Sequence, residues 1–334
     1  MKKILLCLFI TQSLYAVCVH ETKISGVNLL STFQTMDLDN TYYQQSDGSY
    51  QQLKDIKVIS PSTIYHLQKN QPQIKKDYDD RYVQYYRYER IQTYIEEKKE
   101  ILEQLGYVVE IVGKSIQGRS LYSIYPKEIE EKKKTILMFG RHHGDEGTAN
   151  WIIEGFLNNF LSDSSANNSF QLILYPMVNP DGAENRVRYN KRGRDLNRVW
   201  DVSSSRSKDE VGQIHTHLNR IFLNDHKPII ALDMHGSFTE DFIYRVKKSF
   251  KGEEFFNTQQ SFIDTLGRFD RFQDGNFQLS NGHHKMARIM LVREFGINAL
   301  THETQRDISL SANRSIQDLK QQGLDVLESI KALY

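Results

Sequence analysis

The stretch Thr135-Ile136-Leu137-Met138-Phe139-Gly140-Arg141-His142-His143-Gly144-Asp145-Glu146 carries an apolar run directly into a polar motif. A short, continuous apolar run closed by glycine reads as a strand buried on both faces. The motif beyond it sets His143 and Glu146 three residues apart at the strand's carboxyl end. Zinc accepts imidazole nitrogen and carboxylate oxygen, and a catalytic zinc site takes three protein ligands while keeping one position for water. The stretch is therefore half of such a site, and its strand must sit where another element can deliver a third ligand.

Outward from this strand the chain alternates between short β-rich runs and helical ones. Strands are predicted over 107–112, 121–125, 135–139, 171–175, 228–233 and 297–302, and helices over 85–105, 148–161, 210–223, 255–266, 284–295 and 315–333. This alternation predicts an α/β fold with a mixed, mostly parallel sheet and helices on both faces. In sheets of this kind ligands bind beyond the carboxyl ends of the strands, which is where the polar motifs fall.

The leading candidate for the third ligand is His235, delivered at a strand end by Ala231-Leu232-Asp233-Met234-His235-Gly236. His215 and His217 lie in a charged helical run, His283 and His284 open a helix, and His142 is out of frame with Glu146. Asn298-Ala299-Leu300-Thr301-His302-Glu303-Thr304 then brings Glu303 to the end of the last strand. A carboxylate beside a zinc-coordinated water can take its proton and pass it to a leaving amine, so Glu303 is the candidate base. Between these motifs, Asn185 to Arg198 includes Arg186, Arg188, Lys191, Arg192, Arg194 and Arg198, a density that suits a carboxylate clamp beside a metal.

The bulk composition excludes several classes. With 43 basic against 42 acidic residues the chain has no overall pull towards nucleic acid, and 39% hydrophobic content suits a globular core. Met1-Lys2-Lys3 followed by an apolar run to Ile10 reads as a secretory signal with a cut after Ala16, giving an exported, periplasmic or secreted protein without a stable membrane span. Cys7 and Cys18 are the chain's two cysteines, and the first lies in the signal, so the mature chain has no internal disulfide framework. Residues 17–79 are rich in Gln, Tyr, Asp and Ser and read as a polar extension, with the catalytic domain over 80–334.

The ordered set resembles the zinc metallocarboxypeptidase family of the carboxypeptidase A type. Its marks are His143-x-x-Glu146, Asn179-Pro180-Asp181-Gly182, Asp195-Leu196-Asn197-Arg198, a strand-end His235 and Thr301-x-Glu303; Gly113-Lys114-Ser115 to Gly118-Arg119 matches an early element of the family. The resemblance spans roughly 81–334. It implies one zinc ion per chain on His143, Glu146 and His235, Glu303 activating the water, and Arg188 stabilising the oxyanion. It also implies that Asn197 and Arg198 hold the terminal carboxylate of a peptide substrate, and that Asp195 orients the His143 ring.

Two departures stand out. Family members of this type generally close a mobile tyrosine over the bound residue, yet no tyrosine lies between Tyr244 and Tyr334, and the digestive members' arginine before the zinc glutamate is Asp145 here. The expected activity is removal of a C-terminal residue from a peptide, with a cell-wall stem peptide as one candidate substrate. The alternative is an aspartoacylase-like deacylase or amidohydrolase of small acyl-amino acids, a group that often reads Asp-Leu-His-Asn-Thr where this chain has Asp233-Met234-His235-Gly236-Ser237.

Overall fold

A computed structural model describes residues 42–44, 50–52, 82–201, 208–221 and 227–334. The expected signal over 1–16 lies outside the described residues, as does most of the extension over 17–79. The chain divides into two compact units, Met1–Asp77 and Tyr78–Tyr334. In the first, β1 (Tyr42–Gln44) pairs antiparallel with β2 (Tyr50–Gln52).

The second unit is built on α1 (Tyr88–Gln104), β3 (Tyr107–Lys114), β4 (Ser120–Pro126), β5 (Lys134–Gly140), α2 (Thr148–Ser162), α3 (Ser164–Ser169), β6 (Phe170–Tyr175) and α4 (Pro180–Asn185). It continues through α5 (Glu210–Ile221), β7 (Ile230–Ser237), β8 (Phe242–Arg245), α6 (Lys248–Lys251), α7 (Glu253–Phe269), β9 (Phe277–Leu279), α8 (Ala287–Met290), β10 (Ala299–Gln305) and α9 (Ile316–Leu333). The eight-stranded sheet has the order β3-β4-β6-β5-β7-β10-β8-β9. Its centre, β6-β5-β7-β10, is parallel, while β3, β4 and β8 join antiparallel.

The central strands are apolar without alternation because both of their faces are covered. Ile136, Met138, Leu172, Leu174, Leu232 and Leu300 face one core with Ile152, Phe156 and Phe160 of α2 and Leu319, Val326 and Ile330 of α9. Leu137, Phe139, Ile173, Tyr175, Ala231 and Ala299 face the other, with Ile214 and Leu218 of α5 and Ile289 to Val292 at and beyond α8. A period of two in the strands thus divides one apolar run between two helical layers.

Three features differ from the sequence expectation. β8 and β9 are four and three residues long, too short for a periodic signal. The helix expected over 284–295 is α8 followed by a single π-helical segment, Leu291–Phe295, ended by Gly296 in the left-handed region. β7 runs past its expected end through His235 to Ser237, so this histidine is held within the hydrogen-bonded ladder.

After β5 the chain pairs β6 on one side, and after β6 it returns to pair β7 on the other. The order therefore reverses between β5 and β7, and the crevice outside their carboxyl ends is the expected ligand position of an open α/β sheet.

Candidate metal centre and active site

The loop after β5 leaves the sheet through Arg141, a buried non-glycine residue at φ 60°. Its guanidinium holds the turn by donating to Gly144 O (2.8 Å), Tyr86 O (3.0 Å) and Asn150 Oδ1 (2.8 Å). Gly144 packs on α4 so closely that a Cβ there would lie 2.0 Å from the Gly182 backbone. Asn179 closes the other side, accepting from Gly182 N–H and donating to Arg188 O. Asp181 then ties α4 to the β3–β4 turn, accepting from Ser115 Oγ (2.7 Å), Gln117 N–H (2.9 Å) and Arg119 Nη1 (2.6 Å). The Asn-Pro-Asp-Gly and Lys-Ser-x-x-Gly-Arg motifs thus brace the ligand loop.

Within this frame His143 Nδ1 lies 2.8 Å from Glu146 Oε1, His235 Nδ1 lies 2.8 Å from Glu146 Oε2, and the two Nδ1 atoms are 3.1 Å apart. All three residues are buried and form one group able to hold a metal ion. Tetrahedral zinc with bonds of about 2 Å places its ligand atoms roughly 3.3 Å apart, so a few tenths of an ångström of expansion accommodates the ion. Gly236 lets β7 approach the ligand loop, because a Cβ there would meet Glu146 Cβ at 2.9 Å.

The outward nitrogens are also engaged. His143 Nε2 faces Asp195 Oδ1 at 3.1 Å, and His235 Nε2 faces Asp233 Oδ2 at 2.9 Å. Carboxylates behind ligating imidazoles fix ring orientation and raise donor strength, so the donor set and its surroundings suit zinc. Burial opposes charge on Glu146, yet His143 and His235 hold its carboxyl well below the ordinary range. Burial also opposes charge on His235, and Asp233 and Glu146 overcome it to raise its pKa well above the usual value. An extra positive charge at this point is therefore favoured by the site itself.

Glu303 is the in-register neighbour of His235 on β10, so its side chain leaves the same face of the sheet. Its carboxyl receives no hydrogen bond or ion pair among the described residues. Burial pushes its pKa up to about 7, with His235 pulling down and Glu146 pushing up. A general base works best with a pKa near the operating pH.

The structure brings Arg188 to the same place. Its Nη2 and Nε donate to Asp195 Oδ2 at 2.9 and 3.2 Å, and Nη1 lies 3.1 Å from His143 Nδ1. A bound cation and this guanidinium compete for one lone pair. Arg198 is half-buried and donates from Nη1 to Asn197 O.

Asn197 requires a correction. It is buried, its Oδ1 accepts from Ala287 N–H at 2.9 Å, and its Nδ2 faces Asp233 Oδ2 (3.2 Å) and His235 Nε2 (3.0 Å). Both ends of the amide are used inside the protein, so Asn197 supports the ligand set from behind and is not presented to a substrate carboxylate. The cationic loop is also less free than its composition suggests: Arg186 pairs with Asp307, Arg188 with Asp195 and Arg194 with Asp209.

Asp145, which stands where digestive members have an arginine, accepts from Arg306 Nη1 at 2.5 Å, with Phe238 stacked 3.8 Å from that guanidinium. A cation from the end of β10 thus reaches the position by another route. The sequence reading also passed over Arg288, 1% exposed on α8. Its Nη2 donates to Ser280 O at 3.0 Å, while Nε and Nη1 have no partner among the described residues. Burial pulls its pKa down to about 10, and Asp233, Tyr244 and Glu303 are the groups whose charge acts on it. Its signal was an arginine inside the apolar run Met286-Ala287-Arg288-Ile289-Met290.

At this switch point the sheet gathers two histidines and a glutamate able to hold a metal ion, beside a carboxyl without a partner among the described residues. The zinc carboxypeptidase family model matches residues 91–268, more than half of the chain, and the chain belongs to that family. It is 32% identical over 115 residues to cytosolic carboxypeptidase 3 of Mus musculus, covering 33% of this chain and 11% of that one. Human cytosolic carboxypeptidase 2 is 25% identical over 239 residues, covering 65% and 26% respectively. The chain thus spans about a quarter or less of these two relatives. A solved metallo-carboxypeptidase from Burkholderia cenocepacia shares the fold, with TM-score 0.62 at 20% identity over 73% of this chain and 68% of that one.

Proposed function

We propose that this chain removes the C-terminal residue of a peptide, that this residue carries a carboxylate of its own, and that the enzyme works after export. The observation that carries the reaction type is Glu303, an unpaired carboxyl in register beside His235 and the metal-binding group. Zinc held by His143, Glu146 and His235 would polarise the scissile carbonyl and make a water more acidic. Glu303 takes the proton of the attacking water and returns it to the leaving amine. Arg188, with its side chain 34% exposed, donates to the charge that develops on the carbonyl oxygen. Arg198 is the remaining member of the motif able to meet the substrate's terminal carboxylate.

The acidic preference rests on Arg288. A buried guanidinium with two unpartnered nitrogens is costly unless an anion completes it, and a substrate carboxylate reaching past Glu303 would do so. Stem peptides of the cell wall carry several carboxylates and fit this description. Export rests on Met1 to Ala16.

Mass spectrometry of the zinc-loaded chain with peptides differing in their last residue, muropeptides and N-acyl amino acids tests the reading. Release of C-terminal glutamate ahead of leucine or lysine is expected, and Arg288→Met should shrink that preference by about 10- to 100-fold, the worth of a hydrogen bond to a charged group. Cleavage of N-acyl amino acids alone would establish the deacylase alternative. An unchanged preference in Arg288→Met would remove the assigned role of Arg288.

A further inference from the structure

His142 precedes the first metal ligand but points away from it. It is fully buried; its Nε2 receives a hydrogen bond from Trp200 Nε1 at 2.9 Å, and its Nδ1 lies 2.7 Å from Asp233 Oδ1. Trp200 is fully buried as well, and its ring packs edge-on against both Phe139 and His142. The other oxygen of Asp233 faces His235 Nε2 at 2.9 Å, and the rings of His142 and His235 lie parallel, 5.5 Å apart. Four side chains thus form one line from an indole to the metal-facing nitrogen of His235.

The donor inventory fixes the proton of His142, and the carboxylate of Asp233 carries the argument on to His235. An indole N–H can only donate, so His142 Nε2 must be a bare acceptor and its proton must sit on Nδ1. His142 therefore donates to Asp233 Oδ1, leaving Oδ2 to accept from His235 Nε2–H. Asn197 Nδ2, turned inward because its Oδ1 accepts from Ala287 N–H, lies 3.2 Å from Asp233 Oδ2 and 3.0 Å from His235 Nε2; the carboxylate oxygen is the acceptor that both N–H groups share. Were His235 Nε2 bare, its lone pair would face a carboxylate oxygen across 2.9 Å. His235 consequently keeps Nε2–H, and the proton it can release is on Nδ1, the nitrogen turned towards His143 and Glu146.

We propose that Trp200 and His142 are positioning residues for the metal centre: the donor-only indole sets the His142 tautomer, which holds Asp233 so that His235 Nδ1 is the nitrogen offered to the metal. This rests on the zinc carboxypeptidase reading of the site and assigns a role to two residues outside the ligand set.

Two measurements on the full chain test it. In ¹⁵N-histidine spectra of the metal-free protein, His142 should show a protonated Nδ1 and an unprotonated Nε2; a protonated Nε2 would overturn the proposal. Zinc affinity, measured by competition with a chromophoric chelator, should fall about tenfold in His142→Phe, the lower range for a group behind a metal ligand. It should stay within about threefold of the parent in His142→Asn, whose amide replaces the Nδ1 donor. Unchanged affinity in a folded His142→Phe, or equal losses in both variants, would refute the relay. If His142→Phe does not fold, the tautomer and the asparagine variant still decide. Absence of zinc binding by the parent chain would strike the family reading of the site, while the tautomer would judge the relay separately.

Discussion

Glu154, fully buried, and Glu303, partly buried, are both carboxylates near the central sheet, and their surroundings could hardly differ more. Glu154 on α2 receives Arg90 Nε and Nη2 at 2.7 and 2.8 Å, Tyr86 Oη at 2.8 Å, and the ammonium of Lys320 at 2.9 Å. Glu303 receives no hydrogen bond or ion pair among the described residues, and the charges that act on it are those of two imidazoles, His235 and His143, and two carboxylates, Glu146 and Asp233. The first is neutralised and ties α1 and α9 to α2; the second is left reactive. A buried charge compensated on every side holds structure, whereas one kept short of partners is available for proton transfer.

Breaking each member of this pair should give opposite results. Glu303→Gln should lower turnover by roughly 10² to 10⁴-fold, the span of general-base catalysis, while leaving zinc affinity and thermal unfolding close to the parent. Steady-state rates beside a chelator titration check this, and an active variant would remove Glu303 from the mechanism. Glu154→Ala should instead cost about 3 kcal/mol in urea unfolding, the low end for a broken buried pair because Arg90 and Lys320 keep some solvent access. Turnover per folded molecule should persist; a variant as stable as the parent would show that the cluster contributes little.

The smallest effect concerns pH. Glu303 has a folded pKa of about 7 against an ordinary 4.5, so the folded metal-free protein binds this proton more tightly than the unfolded chain does. Its contribution to stability is therefore present below about pH 4.5 and is lost as pH rises through 7. Urea midpoints of the metal-free protein at pH 5 and pH 8 should drop more in the parent than in Glu303→Gln. Equal drops would show that Glu303 is not the titrating group.

Much of this was legible in the sequence because strand ends and ligand spacing are local properties. His143 with Glu146, the histidine ending Ala231 to His235, and the last strand's Glu303 each follow an apolar run, and the sheet's register then brings them together. What was not legible depends on contacts between distant segments. Asn197 fits a carboxylate-binding motif, but Ala287, ninety positions later, claims its oxygen. His142 looked like a bystander because its partners, Trp200 and Asp233, adjoin it only after folding. The Asp145–Arg306 pair likewise joins residues 161 positions apart.

The strand register has a further consequence. Because successive side chains leave opposite faces, a slip of β7 by one residue would swing His235 into the helical layer and send Met234 towards the crevice. The ligands come from β7 and from the loop beyond β5, and their proton acceptor comes from β10, the next strand over. His143 and Glu146 are neighbours in sequence, but His235 reaches them only across 92 and 89 positions, and Glu303 joins them through the pairing of β10 with β7. Metal binding is therefore coupled to the closing of these long-range contacts, and an ion held here would stabilise only the correctly aligned sheet. The centre acts as a proofreader of the architecture that creates it.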